Sequence, residues 1–155
     1  CPTRRAADLP WTRNERAATA GLKTTSYADN VVALRYAHER DDAEAIFANT
    51  RGELCEGTGS NVFVGIGGAL LTPPLDSGCL SGITRDLIVE WLGNVHERAL
   101  PISALATADE AFLASTTRDV QPIRAVDGRI LPAAPGPLTQ HASEVFAARS
   151  AEGDL

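Results

Sequence analysis

The chain has 155 residues, of which 44% are hydrophobic and 22% charged, and this composition excludes a disordered or collagen-like protein. Its net charge is −6 at pH 7 and its basic residues are scattered, which argues against nucleic acid as a partner. No apolar run approaches the length of a membrane span. Three cysteines without a CxxC spacing (Cys1, Cys55 and Cys79) indicate neither a disulfide framework nor a metal site, and they favour a cytoplasmic location.

The basic residues are unevenly divided, because 13 are arginine and only Lys23 is lysine. Genomic base composition is a sufficient cause of that bias, yet it leaves any amine chemistry a single side-chain candidate. The chain has no methionine and starts at Cys1, which predicts a product of cleavage or a part of a longer protein.

The first half of the chain is predicted to pass from a polar segment through one helix into a meander of strands. Residues 1–20 are interpreted as an interdomain connecting segment. A helix is predicted from Ser26, and the residues expected on its inner face are Val31, Val32, Leu34 and Ala37. Strands are predicted over 43–49, 53–56, 61–66 and 69–72, with turns at Thr50–Gly52 and Gly67–Gly68.

The second half is predicted to alternate helices with short strands. The proline- and glycine-rich segment 73–82 leads to a helix over 83–92, whose free first-turn amides form an anion site. The elements expected after it are a short helix over 103–108, strands over 111–114, 123–126 and 129–131, and a helix from Gly136-Pro137. Residues 150–155 are expected to be a frayed tail.

Four features carry the candidate chemistry, and each has an ordinary structural explanation when taken alone. Lys23 is then a surface lysine and Glu56 a strand-end carboxylate, while the stretches at 82–84 and 115–117 are helix and loop caps. Together they supply an amine, an acid and two turns rich in hydroxyls and amides. These are the parts that hold a phosphorylated aldehyde cofactor whose ring nitrogen needs a carboxylate partner.

Several ordered motifs carry a resemblance to a known family over residues 21–139. They are Gly21-Leu22-Lys23, Leu54–Phe63 (LCEGTGSNVF), Leu71–Pro74 (LTPP), Gly82–Arg85 (GITR), Ala108–Phe112 (ADEAF), Ser115–Pro122 (STTRDVQP), Val126-Asp127-Gly128 and Gly136–Thr139 (GPLT). In order and spacing they resemble the C-terminal domain of the class IV pyridoxal-phosphate enzymes. That family comprises branched-chain aminotransferases, D-amino acid aminotransferases and aminodeoxychorismate lyases.

The resemblance implies an α+β fold of the fold-type IV class, a short-stranded β pseudo-barrel with flanking helices. It places the cofactor-binding domain at residues 21–149 and implies that the N-terminal domain of the family is absent from this chain. It further implies pyridoxal 5′-phosphate as cofactor, an amino-acid-like substrate, and a homodimer with the site near the interface.

The resemblance also assigns roles to individual residues. Lys23 forms the internal aldimine and moves protons at the substrate α-carbon, and Glu56 keeps the pyridine nitrogen protonated. The amides of Ile83 and Thr84 and the hydroxyl of Thr116 hold the phosphate. Thr116 and Thr117 also meet the substrate carboxylate, and Asn61, within the same cofactor-binding set, shapes the loop.

The reaction is expected to be either transamination of an amino acid or conversion of aminodeoxychorismate to 4-aminobenzoate and pyruvate. The spacing from Lys23 to Tyr27 and Asn30 resembles the D-amino acid aminotransferase and lyase branch, whereas the loop over 57–60 resembles the aminotransferases. The alternative is a non-catalytic fragment or binding domain that lacks its substrate-selecting half.

Other nucleophile and nucleotide sites find little support in the sequence. A Cys1 nucleophile is disfavoured by Pro2 and by the loop-like surroundings. No phosphate-binding P-loop ends at Lys23, and the glycines at 65–68 lie in a hairpin and not between a strand and a helix. His38, His96 and His141 are scattered and are interpreted as surface residues.

Overall fold

The computed structural model describes residues 4–25 and 27–153. The strands within these residues are β1 (Arg4–Arg13), β2 (Glu44–Asn49), β3 (Leu54–Gly57), β4 (Asn61–Ile66), β5 (Ala69–Thr72), β6 (Val95–Glu97), β7 (Glu110–Ser115), β8 (Asp119–Val126) and β9 (Arg129–Ile130). The helices are α1 (Ala28–His38), α2 (Ile83–Leu92) and α3 (Pro137–Glu152), with 3-10 helices at Leu75–Ser77 and Ile102–Ala106. The α+β class predicted from the sequence is confirmed.

All nine strands belong to one sheet, in the order β3-β2-β1-β8-β7-β4-β5-β6, with β9 paired to β8. Neighbouring strands are antiparallel except at β1–β2, β1–β8 and β5–β6. The strand ladders of the described residues do not form a closed barrel, but the segment after β6 approaches β3, where the Leu54 amide donates to the Leu100 carbonyl at 2.8 Å and Glu53 bridges to Pro101. This arrangement agrees with the predicted pseudo-barrel. No helix in this part of the chain is long and apolar enough to cross a membrane.

The largest correction to the predicted elements is β1, which occupies much of the expected connecting segment. It pairs in parallel with both β2 and β8 and therefore lies inside the sheet. The sequence conceals this strand because ladder pairing uses backbone groups and because only half of its residues are apolar, without a regular alternation. Pro10, which lacks an N–H group, falls where the β1–β2 register shifts between Asp8 and Thr12, so the sheet loses little pairing there.

The central hairpin and α2 have the predicted bounds. β4 and β5 are joined at Gly67 and Gly68, whose φ angles of 56° and 80° a side chain would strain. β8 starts four residues before the predicted strand, at Asp119, and β6 was not predicted. The expected fray at 150–155 is also corrected, because α3 continues to Glu152, while residues 154–155 lie outside the described residues.

Each helix covers a separate part of the sheet. α1 packs Ala33 and Ala37 against β1–β3, whereas Val31 and Val32 are 62% and 53% exposed, so their predicted inward placement is wrong. The predicted inner face of α1 included too many residues, because the helix approaches the sheet closely only through its two alanines. α2 and α3 pack over the stacked rings of Phe63 and Phe112, whose centroids are 4.7 Å apart.

The first turn of α3 is anchored by the buried carboxylate of Glu110 on β7. Glu110 accepts hydrogen bonds from the amides of Leu138 and Thr139 at 3.0 and 2.8 Å and from the Thr139 hydroxyl at 2.6 Å. A Cβ atom on Gly136 would overlap that carboxylate, so a side chain at this position would displace Glu110 from the helix N-terminus. A negative charge at a helix N-terminus is favourable, and here it also satisfies free first-turn amides.

Replacing Glu110 with alanine is expected to lower the free energy of unfolding by roughly 2–3 kcal/mol, because three charge-assisted hydrogen bonds are lost inside the protein. Urea unfolding followed by circular dichroism measures the change. Glu144→Ala, on the exposed face of α3, is the matched control and is expected to change stability little. Equal losses in the two variants would contradict the anchoring role of Glu110.

Candidate active site

The acid expected to face a ring nitrogen, Glu56 on β3, is held at both carboxylate oxygens. The Leu80 amide donates to Oε2 at 2.9 Å, and the guanidinium Nε of Arg13 lies 3.1 Å from Oε1. Arg13 itself stacks over the Phe47 ring at 4.2 Å and donates to Asn30 at 2.9 Å. The carboxylate is therefore mostly enclosed and has a fixed orientation.

Asn61 connects the Glu56 loop to the start of α2. Its side-chain amide donates to the Leu80 carbonyl at 2.8 Å, one peptide away from the group that binds Glu56. A Cβ atom on Gly82 would overlap Oδ1 of the Asn61 side chain, so the helix N-terminus closely approaches this asparagine. Asn61 thus holds the 80–82 backbone in place.

The N-terminus of α2 leaves polar groups free. Gly82 is the N-cap and offers no side chain, and among the described residues nothing accepts from the amides of Ile83 and Thr84. Such amides carry the positive end of the helix dipole and attract anions. The neighbouring Arg85 is buried and points away to Glu97 at 2.5 Å and the Pro73 carbonyl at 3.0 Å.

Thr116 and Thr117 lie in the exposed turn between β7 and β8. Asn61 pairs with Ala114 just before this turn, so the turn lies at the end of the sheet where β4 starts and β7 ends. Arg118, at the end of the turn, pairs with the buried Glu44 at 2.6 Å. The turn is thereby fixed beside the 57–60 loop, although no contact joins its threonines directly to Glu56 among the described residues.

Lys23 is exposed in the segment between β1 and α1, and its ammonium group forms no hydrogen bond or ion pair with the residues that the structure describes. Two residues earlier, Gly21 has a positive φ of 72° and lies against the Cys79 carbonyl. Cys79 precedes Leu80, whose amide binds Glu56, so Gly21 lies near this backbone. Lys23 follows Gly21 by two residues and forms no hydrogen bond or ion pair with Glu56.

Burial raises the pKa of the Glu56 carboxyl, because the charged form is desolvated, and the Leu80 amide and Arg13 offset this only in part. A carboxyl that binds its proton more tightly in the folded than in the unfolded chain stabilises the fold at low pH. That contribution is lost as the pH rises from the ordinary glutamate pKa of about 4.3 through the raised folded value.

Replacing Arg13 with methionine is expected to raise the pKa of the Glu56 carboxyl further, since the opposing positive charge is removed. The titration of the side-chain ¹³C carboxyl resonance, assigned with Glu56→Gln, measures it. Arg16→Met is the control, because Arg16 is exposed and does not touch Glu56. An unchanged or lower pKa in Arg13→Met would show that Arg13 does not control this carboxyl.

Sequence reasoning missed three charged residues that build this region: Arg13, Glu44 and Arg118. Arg13 lies in the segment that the sequence analysis interprets as a connection between domains. Glu44 lies at the polar start of a predicted strand, where a charged residue is ordinary. Arg118 stood in a quoted motif without a role. A charged residue at a strand start followed by buried positions was the available signal for Glu44, but its partner is 74 residues away in the chain.

The cysteines and histidines add no further chemistry within the described residues. Cys55 and Cys79 are buried free thiols, and burial raises the pKa of both, which keeps them protonated and unreactive. His38, His96 and His141 are exposed and far apart in the chain. Cys1 lies outside the described residues.

Comparison with known proteins identifies the family. The family model described as amino-transferase class IV matches residues 2–126. D-alanine aminotransferase of Bacillus licheniformis is 34% identical over 141 residues, which are 88% of this chain and 47% of that protein. The chain thus spans about half the length of the curated relatives it matches.

Solved structures agree on the fold. The PLP-form of a branched-chain amino acid aminotransferase from Thermobaculum terrenum has a TM-score of 0.85 and 36% identity, over 94% of this chain and 50% of that one. A candidate 4-amino-4-deoxychorismate lyase from Legionella pneumophila has a TM-score of 0.91 at 24% identity, covering 95% and 56%, and this likeness concerns the fold alone. The resemblance drawn from the motifs is confirmed.

Proposed function

The chain belongs to the class IV aminotransferases, and on that premise we propose that it is the part of a pyridoxal-phosphate enzyme that holds the cofactor and transfers protons at the α-carbon of an amino acid substrate. One observation carries the proposal: hydrogen bonds and a close approach connect Glu56, through the Leu80 backbone and Asn61, to the N-terminus of α2. This connected group has a carboxylate of fixed orientation at one end and free amides at the other.

The groups present fit the cofactor. A pyridine ring needs an acid at its nitrogen, and Glu56 is a mostly enclosed carboxylate with a set orientation. A phosphate needs hydrogen-bond donors without a competing acceptor, and the amides of Ile83 and Thr84 are such donors among the described residues. The exposed Thr116 hydroxyl is a further donor, in the turn that lies beside the start of β4.

Pyridoxal 5′-phosphate, when bound, supplies an electron sink that stabilises negative charge at the substrate α-carbon. In the proposed mechanism Lys23 is the residue that would hold the cofactor covalently through its Nζ amine. The same Nζ would take the α-proton of the substrate as a general base and return a proton as a general acid. Lys23 is exposed, as a group that must meet both substrate and cofactor has to be.

The remaining residues bind and orient. The Glu56 carboxylate would accept a hydrogen bond from the protonated ring nitrogen, and Arg13, 3.1 Å from Oε1, fixes the orientation of this carboxylate. The amides of Ile83 and Thr84 and the Thr116 hydroxyl hold the phosphate, while the amides of Thr116 and Thr117 orient the substrate carboxylate. Asn61 keeps the 80–82 backbone in place for both Glu56 and α2.

Transamination is the first candidate reaction, because relatives with 34% or more identity carry that activity in their names. Release of pyruvate from aminodeoxychorismate is the second, because the Lys23–Tyr27–Asn30 spacing resembles the branch that contains both the D-amino acid aminotransferases and the lyases. An assay of the full-length protein with D-alanine and 2-oxoglutarate, and separately with aminodeoxychorismate, separates them. A strict need for an oxo acid supports transamination, and 4-aminobenzoate formed without one supports the lyase reaction.

The assembly and location are proposed on the same footing. We expect a homodimer, as the family resemblance implies, and light scattering of the full-length protein measures it. The free thiols Cys55 and Cys79 agree with a reducing cytoplasm.

A further inference from the structure

Glu44, at the start of β2, is a carboxylate that is only 1% exposed and has both oxygens engaged. Its Oε1 accepts from the Thr58 amide at 3.0 Å, and its Oε2 accepts from Arg118 Nη2 at 2.6 Å. A buried carboxylate is unfavourable unless its partners are well placed, so these two contacts fix the positions of the groups that make them.

The two partners of Glu44 belong to separate parts of the proposed site. Thr58 lies two residues after Glu56, in the loop that leaves β3. Arg118 directly follows Thr116 and Thr117 in the turn between β7 and β8. The β4–β7 ladder joins the end of the 57–60 loop to the start of the turn through Asn61 and Ala114. β1 separates β2 from β8 in the sheet, so Glu44 provides a second link, made by side chains, from Thr58 to Arg118 at the end of the turn.

A second chain of contacts reaches the same loop from Glu56. Arg13, which faces Glu56, donates to Asn30, and Asn30 donates to the Thr58 carbonyl at 2.6 Å. The Thr58 carbonyl is therefore bound by Asn30, which Arg13 connects to Glu56. The Thr58 amide is bound by Glu44, which pairs with Arg118. The polar network runs without a break from Glu56 to the Thr116–Thr117 turn.

We propose that Glu44 and Arg118 are positioning residues that hold the Thr116–Thr117 turn at a fixed distance from the Glu56 loop. The proposal rests on the proposed function, in which that turn binds the phosphate and the substrate carboxylate. Loss of the pair loosens the turn and weakens substrate binding. The proton transfers at Lys23 are affected less, because neither residue touches Lys23.

The test measures both the turn and the kinetics in the full-length enzyme. Arg118→Gln is expected to speed amide hydrogen exchange in a peptide covering 115–119 and to raise KM for the amino donor about tenfold, with kcat within about threefold. Arg118→Lys restores most of both. Arg35→Gln, which breaks the exposed Arg35–Glu39 pair on α1, is the matched control and leaves both unchanged.

The double variant tests the pair itself. Arg118→Gln leaves a buried charge unpaired, whereas Glu44→Gln removes the charge and retains an oxygen for the Thr58 amide. Adding Glu44→Gln to Arg118→Gln is therefore expected to recover part of the exchange protection, which is non-additive behaviour. Additive losses, or an Arg118→Gln protein with unchanged exchange and KM, would overturn the proposal.

Failure of the proposed function is distinguishable from failure of this pair. A wild-type enzyme that binds no cofactor refutes the function, while the exchange measurement still reports on the turn without cofactor. A fully active wild type whose Arg118→Gln variant exchanges and binds substrate normally refutes only the pair.

Discussion

Replacing Lys23 with alanine is expected to lower kcat of the full-length enzyme by at least about a thousandfold, because one amine serves both as attachment point and as acid–base group. Lys23 is the only lysine of the 155 residues. The visible absorbance of bound cofactor and the turnover rate should fall together. A steady-state assay and an absorption spectrum of the purified variant measure the two effects.

Arg35→Ala is the control for Lys23→Ala, since it removes one exposed positive charge from α1 and leaves the segment at 21–25 intact. It should retain wild-type turnover and absorbance. A Lys23→Ala enzyme that keeps more than about a tenth of its activity would exclude Lys23 as the proton-transfer group.

Replacing Glu56 with glutamine is expected to reduce kcat roughly a hundredfold while the fold is preserved. The amide has the same shape and its oxygen can still accept from Leu80, but it carries no negative charge for the ring nitrogen. Because charge and not shape is removed, cofactor binding should weaken much less than turnover. Stopped-flow kinetics of α-proton removal, with cofactor affinity measured separately, tests this difference.

Glu53→Gln is the matched control, because Glu53 lies just before β3 and pairs with Arg51 and Asn49 away from the α2 N-terminus. It should change kcat by less than about threefold. If Glu56→Gln and Glu53→Gln behave alike, the Glu56 carboxylate has no electronic role.

The elements best predicted from the sequence are those whose local signals agree. β4, β5 and α2 combine apolar runs with glycine turns or a glycine N-cap, and their bounds match. The strand β1 was not predicted, because it forms by parallel pairing with β2 and β8, and no local sequence pattern indicates such partners. The prediction for the inner face of α1 was wrong, because the helix contacts the sheet through Ala33 and Ala37 and leaves Val31 and Val32 exposed.

The candidate site divides in the same way. Glu56, Asn61 and the α2 amides came from ordered motifs, and the structure joins them through the Leu80 backbone and Gly82. Arg13 and Glu44 could not be predicted, because their roles arise from contacts between segments distant in the chain. Their burial beside opposite charges is a tertiary property with no local sequence pattern.

The most direct test of the central claim is to locate the covalent attachment of the cofactor. The full-length protein, incubated with pyridoxal phosphate and reduced with borohydride, should carry one modification, and peptide mass spectrometry should place it on Lys23. Attachment at any other residue, or none at all in a protein that is folded and catalytically active, would contradict the account.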